Sequence, residues 1–580
     1  GSTLAVLLSS LTALACSGAA APGRLELFVA VGGDDQNPGT VGRPLGTLHG
    51  ARNTIRAVKK NAQAPVGGVR ISIGAGRYFL SEPLKLGRED SGTTAGPIVY
   101  AARSNAVVVI SGGRVISGWK NQCGNRWTVE LPDVKAGKWH FRQLFGAGRR
   151  LTRARTPNTG HYTTVGPLAQ YAQQSVNRWR NYESIPKLRK DFPGAFCGFA
   201  FKSGDLVSWP DQANAEIITY HSWECSWQTI RSIDTKKSEV HFNNPCRYPV
   251  GYFSPHCRYR VENVRAALDE PGEWQLDRAS GMLSYLARPG EDPRKMEFIA
   301  PAMNELLVLA GDIKAGAFVR NVSFEGLLFT HADYRMGVCD VARDWPAPAL
   351  RVDPAWPKQF PPGYTDAQAA PLSGSAIALG AAQDCALRRC RVTQVGAYAI
   401  GIGHGSRRNV VSGCMLDSLG GGGVMIGRFD RKPSWPVEEA ASHNVVENTV
   451  IRRIGLVHPS GVGIAVAQSH HNRLVHNEIS DAGYSGFSIG WTWGRDANHT
   501  RDNHLEANDV HHVLRELADG GGIYSLGINT GTIYRENYIH DISRAEGAIG
   551  APVNGIFFDE GSRDIRLERN VIRVNDPIRF

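Results

Sequence analysis

An asparagine returns once per turn of sequence in the second half of this chain, at Asn448, Asn477, Asn508, Asn537 and Asn570, in steps of 29, 31, 29 and 33 residues. It closes short segments such as Asn472-Arg-Leu-Val-His-Asn477 and Asn503-His-Leu-Glu-Ala-Asn508, and upstream Cys390 and Cys414 fill the same slot. A second family of short strands follows each slot, among them Tyr398-Ala-Ile-Gly-Ile-Gly403, Ser485-Gly-Phe-Ser-Ile-Gly490 and Asn554-Gly-Ile-Phe-Phe-Asp559. Short alternating strands at a fixed period, with hardly a helical period among them, predict an all-β parallel β-helix in which each repeat is one coil. Equivalent residues then stack at the interstrand spacing of about 4.8 Å. A column of side-chain amides can satisfy its neighbours and the bent backbone. In that column Cys390 and Cys414 read as small buried side chains rather than nucleophiles.

The N-terminal half is less regular. Thr47 is placed to cap a helix whose Leu48, Ala51, Ile55 and Val58 keep helical spacing, a lid for the open first coil. Residues 24–118 read as this cap and the first coils, 119–300 as a β-rich insertion or side domain, and 301–580 as the main β-helix. The seven prolines of 338–372 predict a long loop over the coils. The chain ends ten residues past Asn570, which leaves little to cover the final coil.

Residues 1–22 contain the apolar run Leu4 to Ala15 and a small-residue stretch, the lengths of a signal peptide rather than a membrane span. Export to the periplasm or medium is expected, with Ala13-Leu14-Ala15-Cys16 a poor match to a lipoprotein box. The 42% hydrophobic and 21% charged composition excludes a disordered chain and a membrane bundle. The net charge of +11 is scattered, which argues against nucleic acid. Cys197, Cys225, Cys246 and Cys257 cluster and can pair in an oxidising compartment. No Cys-x-x-Cys or His-Glu-x-x-His string signals a metal, and no cofactor is expected.

A cleft in such a fold forms where residues of successive coils line up, so polar and aromatic residues at strand ends attract attention. Asp519, Asp559 and Glu560 are the candidate catalytic carboxylates, since a pair flanking a glycosidic bond is what acid-base hydrolysis needs. Asp519 lies before its strand and Asp559 after its own, leaving both retaining and inverting separations open. Trp491 and Trp493 are candidate sugar platforms, and Trp491 and Glu560 hold equivalent places two coils apart. His512 and His458 are candidate hydrogen-bonding partners, and Tyr524 joins them as a substrate-binding candidate. Gly486-Phe-Ser-Ile-Gly490 matches a serine-hydrolase string but lies in a coil strand, outside the strand-turn-helix context that string needs.

Gly490-Trp-Thr-Trp-Gly494, the segment Asp519 to Gly527 and Phe558-Asp-Glu-Gly-Ser562 resemble carbohydrate-active right-handed parallel β-helix proteins, most closely glycoside hydrolase family 141. The segments Asp35 to Thr40 and Leu151 to Asn158 are similar too, and family 120 xylosidases share the architecture. The resemblance implies a secreted enzyme of the α-L-fucosidase or xylanase type acting on plant cell-wall polysaccharide, with Asp519 and Asp559 as its acids. A uronate-cleaving lyase and a non-catalytic carbohydrate-binding β-helix are the alternatives. The expected partner is a polysaccharide or oligosaccharide substrate.

Overall fold

The computed structural model describes residues 23–61, 65–172, 184–335, 364–575 and 578–579. The N-terminal apolar run and most of the proline-rich segment lie outside these residues. The chain folds as a right-handed parallel β-helix, with three long parallel sheets of eleven, ten and ten strands. We call them A, B and C in the order in which each coil visits them. One coil, for example, runs through His504–Glu506 in A, Asp509–His511 in B and Gly520–Ser525 in C.

Strict register stacks like on like. Leu474, Leu505 and Tyr534 form one inward column in sheet A, and Ile479, Val510 and Ile539 another in sheet B. Ile464, Phe487 and Ile523 continue the pattern in sheet C, and every one of these side chains is buried. Each such side chain contributes about 1.5–3 kcal/mol by leaving water. The repeat period therefore carries the core.

The corners are built from two adjacent positions. Between sheets A and B, Arg389, Gly413, Asn448, His476, Ala507, Glu536 and Arg569 adopt left-handed backbone, with φ between 49° and 62°. That conformation swings the chain out of extended geometry and leaves the next N–H pointing along the helix axis. The next residue answers it. The backbone N–H and the side-chain amide of Asn477 both donate to Asn508 Oδ1 at 3.0 Å, and Asn508 does the same to Asn537 at 3.1 and 2.9 Å.

One expectation is corrected here. Thr449, not Asn448, occupies the ladder slot: its N–H donates to Asn477 Oδ1 at 3.2 Å, while exposed Asn448 is the left-handed residue before it. Asparagine suits both positions, the first because it tolerates left-handed backbone and the second for its amide. Matching letters alone slips by one. A second ladder, Asn409–Asn444–Asn472–Asn503, lines the corner between sheets C and A and ends on Thr532 Oγ1.

The helix Leu48–Asn61 closes the N-terminal end, burying Leu48, Ala51 and Ile55, with Gly50 N–H donating to Thr47 Oγ1 at 2.9 Å. Strands between Gly113 and Pro301 build separate, mainly antiparallel sheets. They dock along the corner between sheets B and C. Arg150 donates to the Val395 and Ser418 carbonyls, and Ala518 N–H donates to the Ser222 carbonyl. Asp366 stitches the seam, accepting the N–H groups of Cys225 at 2.7 Å and Ser460 at 3.2 Å. Cys197, Cys225 and Cys257 are buried free thiols, so no disulfide joins any two of the four clustered cysteines. They lie on different elements packed for burial. Cys390 and Cys414 are buried in their ladder column.

Candidate active site

Sheet C presents its outer face beside the docked insertion. Alternation along Gly520–Ser525 turns Ile523 inward and Tyr524 outward, in register with Ser488 and Phe557. The Tyr524 phenol donates to Asp559 Oδ2. Burial, with the Asp559 charge added, holds that phenol well above the usual tyrosine range, so it stays a donor.

Asp519 sits at the other end of the same strand pair. It is a left-handed corner residue (φ 62°) whose N–H donates to the Ala551 carbonyl at 3.1 Å. Its carbonyl accepts the Tyr484 phenol at 2.7 Å, and its carboxylate accepts Ser222 Oγ at 3.3 Å. Gln368 Nε2 donates to the Tyr484 oxygen at 3.2 Å and also lies against Tyr524. Burial, then the charges of Asp519 and Asp559, push Tyr484 well above the usual range. The fields of both carboxylates thus meet on one phenol. Gly520 follows Asp519 because a Cβ there would stand 2.6 Å from Ser485 Oγ and 2.9 Å from the Tyr484 ring.

Asp559 and Glu560 begin the turn after strand Val553–Phe558. Asp559 N–H donates to the Ser525 carbonyl at 2.8 Å, and Ser562 N–H closes the turn on Asp559 at 2.9 Å. The Glu560 carbonyl accepts Gly527 N–H at 3.0 Å and Gly494 N–H at 3.3 Å, so three coils converge there. Partial desolvation and the Asp559 charge raise the Glu560 pKa, with Arg431 opposing them. An open cavity of about 380 Å³ lies beside these acids, lined by Asp559, Glu560, Phe557, Ser562 and the guanidinium-bearing Arg495 and Arg563.

The two tryptophans part company. Trp491 is only 6% exposed, packed edge-to-face on Phe429 at 4.8 Å and Trp493 at 5.1 Å, so it supports the rim from beneath and offers no sugar platform. Trp493 is half-buried, with the Arg431 guanidinium 4.3 Å above its ring. His458 is fully buried against Trp227 and Tyr334 in the seam with the insertion. Burial, helped by Arg150 and Arg142, lowers its pKa to about 3 and keeps it neutral. His512 is an exposed corner residue ending a sheet B strand, paired with His511, and does not reach the outer face of sheet C. Ser488 of the serine-hydrolase string is buried mid-strand.

Asp519, Asp559, Glu560 and Trp493 therefore border one face with Tyr524 buried beneath Asp559, whereas Trp491, His458 and His512 do not open onto it. Sequence reasoning missed Tyr484, Gln368, Ser222 and Arg431. Ser222 and Gln368 come from segments 297 and 151 residues away from Asp519, and no spacing signals them.

The family described as a right handed beta helix region matches residues 375–576. No curated protein matches the chain. Among solved structures, one titled glycoside hydrolase is 24% identical, covers 94% of this chain and 96% of its own, and superposes with a TM-score of 0.74. XylC in complex with xylose is 12% identical over 92% of this chain and 68% of its own, with a TM-score of 0.45. The GH136 lacto-N-biosidase from Eubacterium ramulus is 10% identical over 96% and 68%, with a TM-score of 0.32. At these identities the first similarity speaks to architecture: the chain shares its right-handed parallel β-helix, nearly end to end, with a glycoside hydrolase.

Proposed function

We propose that this chain is a glycoside hydrolase whose Asp519 and Asp559 flank the scissile bond on the outer face of sheet C. One observation carries the reading: the two carboxylates stand at opposite ends of adjacent strands, each held by a hydroxyl donor, Ser222 on Asp519 and Tyr524 on Asp559. Asp519 precedes Gly520 and Asp559 follows Phe558, an offset of a whole strand. Six residues at about 3.3 Å each set the two backbones roughly 20 Å apart along the strand. The carboxylates reach one bond only by leaning toward each other, which favours the wider, water-holding pair of an inverting enzyme over the close pair of a retaining one. In such a step one carboxyl protonates the leaving oxygen while the other takes a proton from the attacking water.

Tyr524 orients the Asp559 carboxylate and Ser222 the Asp519 carboxylate. Glu560 stands at the rim beside Asp559, where partial desolvation and then the Asp559 charge raise its pKa. Trp493 and Arg431 would bound the sugar. The resemblance to family 141 supports plant cell-wall polysaccharide as substrate, with α-L-fucosidase or xylanase action, and a secreted or periplasmic site of work. Among the described residues no helix is long and apolar enough to cross a membrane.

Arg495 and Arg563 in the cavity favour one second reading, a lyase acting on uronates. The test incubates the protein with fucosylated pectic fragments, xylans and polygalacturonate. Reducing sugar and the ultraviolet absorbance of unsaturated uronates are followed together. Hydrolysis predicts reducing sugar without absorbance, lowered about a hundred- to ten-thousand-fold in Asp519→Asn and Asp559→Asn. A rise in absorbance would make this a lyase. Binding retained without any turnover would make it a carbohydrate-binding β-helix.

A further inference from the structure

Sheet B carries a different constellation on its outer face, away from the proposed active site. Asp509 and His511 are two apart on one strand, so both point outward around inward Val510. Register sets His540 of the next coil beside His511, and Glu478 of the preceding coil beside Asp509. Donor atoms of Asp509, His511 and His540 all lie within 4.8 Å of one another, the one such group among the described residues. His511 Nε2 is also 3.9 Å from Glu478 Oε1.

Both imidazoles are held from behind. His540 Nδ1 is 2.7 Å from Asp541 Oδ2, and its Nε2 faces Asp509 Oδ1 at 3.0 Å. His511 Nδ1 is 2.7 Å from His512 Nδ1, which turns its Nε2 toward the carboxylates. A hydrogen-bonded Nδ1 behind a forward-facing Nε2 is the arrangement that fixes tautomer and ring orientation in histidine metal sites. The rings stack at 4.9 Å and 18°, with Tyr538 against His540 at 4.1 Å, so the pair is preordered.

We propose that Asp509, His511 and His540 bind a divalent transition-metal ion, Zn²⁺ foremost, with Glu478 or water as fourth ligand. Two imidazoles and a carboxylate are the donor set that Zn²⁺ accepts in a four-coordinate site. Bond lengths of about 2.0–2.1 Å put tetrahedral donors roughly 3.3 Å apart, so half-buried side chains need close in by only about 1.5 Å. The ion takes the place of the His540 Nε2–Asp509 contact, and any proton that the ligands give up on binding leaves to solvent. Binding therefore weakens as pH falls. The ligands come from two successive coils, three when Glu478 joins them, so the ion clamps coils together, and no linear motif announces it.

The experiment titrates Zn²⁺ into metal-stripped full-length protein by calorimetry. The expected result is one site per chain, weakened at least tenfold in His511→Ala/His540→Ala and unchanged in His470→Ala/His471→Ala, the histidine pair of another corner. Co²⁺ should give the visible ligand-field bands of a four-coordinate site in the parent protein and the control, and lose them in the first variant. Should that variant fail to fold by circular dichroism, Asp509→Asn replaces it under the same criteria. Equal binding by parent and site variant, or no binding by the parent, overturns the proposal.

Discussion

Asn508→Ala removes one rung from the ladder that holds the corner between sheets A and B. The Asn508 side chain accepts from Asn477 N–H and Asn477 Nδ2 at 3.0 Å each, and donates to the Leu474 carbonyl and Asn537 Oδ1 at 2.9 Å each. It is 1% exposed, so no water replaces it. Truncation strands two buried donors on Asn477. At about 1–3 kcal/mol for each unsatisfied group, the loss is about 2–6 kcal/mol. Asn448→Ala is the matched control. Its exposed side chain makes one bond, accepting His476 Nδ1 at 2.7 Å, and alanine at its left-handed position costs about 1–2 kcal/mol. Urea midpoints of both variants, with hydrogen exchange at the Asn477 amide, read the difference. Midpoints shifted no further by Asn508→Ala than by Asn448→Ala would refute the ladder as a stabilising device and restore the simple spacing of the asparagines.

Four further outcomes are expected. The Asp366 carboxyl, buried and near the Glu224 charge, has its pKa raised to about 8, against about 4 when unfolded. The native state thus holds an extra proton across that interval, stability falls as pH rises through it, and Asp366→Asn should flatten the fall in midpoint-against-pH curves. Tyr524→Phe removes the donor to Asp559 and should lower kcat with KM little changed, whereas an unchanged kcat would show that Asp559 needs no such donor. Trp493→Ala should raise KM with a smaller effect on kcat, since it strips the rim and leaves the acids in place. Gly561→Ala should cost most of the activity while circular dichroism stays native, because its Cβ would stand 1.8 Å from the Gly494 carbonyl at a backbone of φ 76°. An active Gly561→Ala enzyme would show that the convergence on Glu560 is not needed.

The β-helix was legible because it is written once per coil: inward columns such as Leu474–Leu505–Tyr534 obey a local alternation that repetition amplifies. The capping helix was legible from Thr47 and three apolar positions that the structure buries. The candidate acids stood out because Asp519, Asp559 and Glu560 interrupt otherwise apolar or glycine-rich strand ends. What failed was whatever depended on the neighbour across a coil or across the insertion. Trp491 reads like Trp493 in sequence, yet Phe429 covers one and a cation roofs the other. His458 and His512 look like cleft residues until the insertion buries the first and a corner turns the second away. In a parallel β-helix the partner of a residue lies about 4.8 Å away in space but a whole coil away along the chain. Sequence alone therefore determined the repeat, its core and the residue types at its strand ends. Only the tertiary structure, through register and the docking of the insertion, decided that Ser222 reaches Asp519, that Gln368 reaches Tyr484 and that Asp509, His511 and His540 meet.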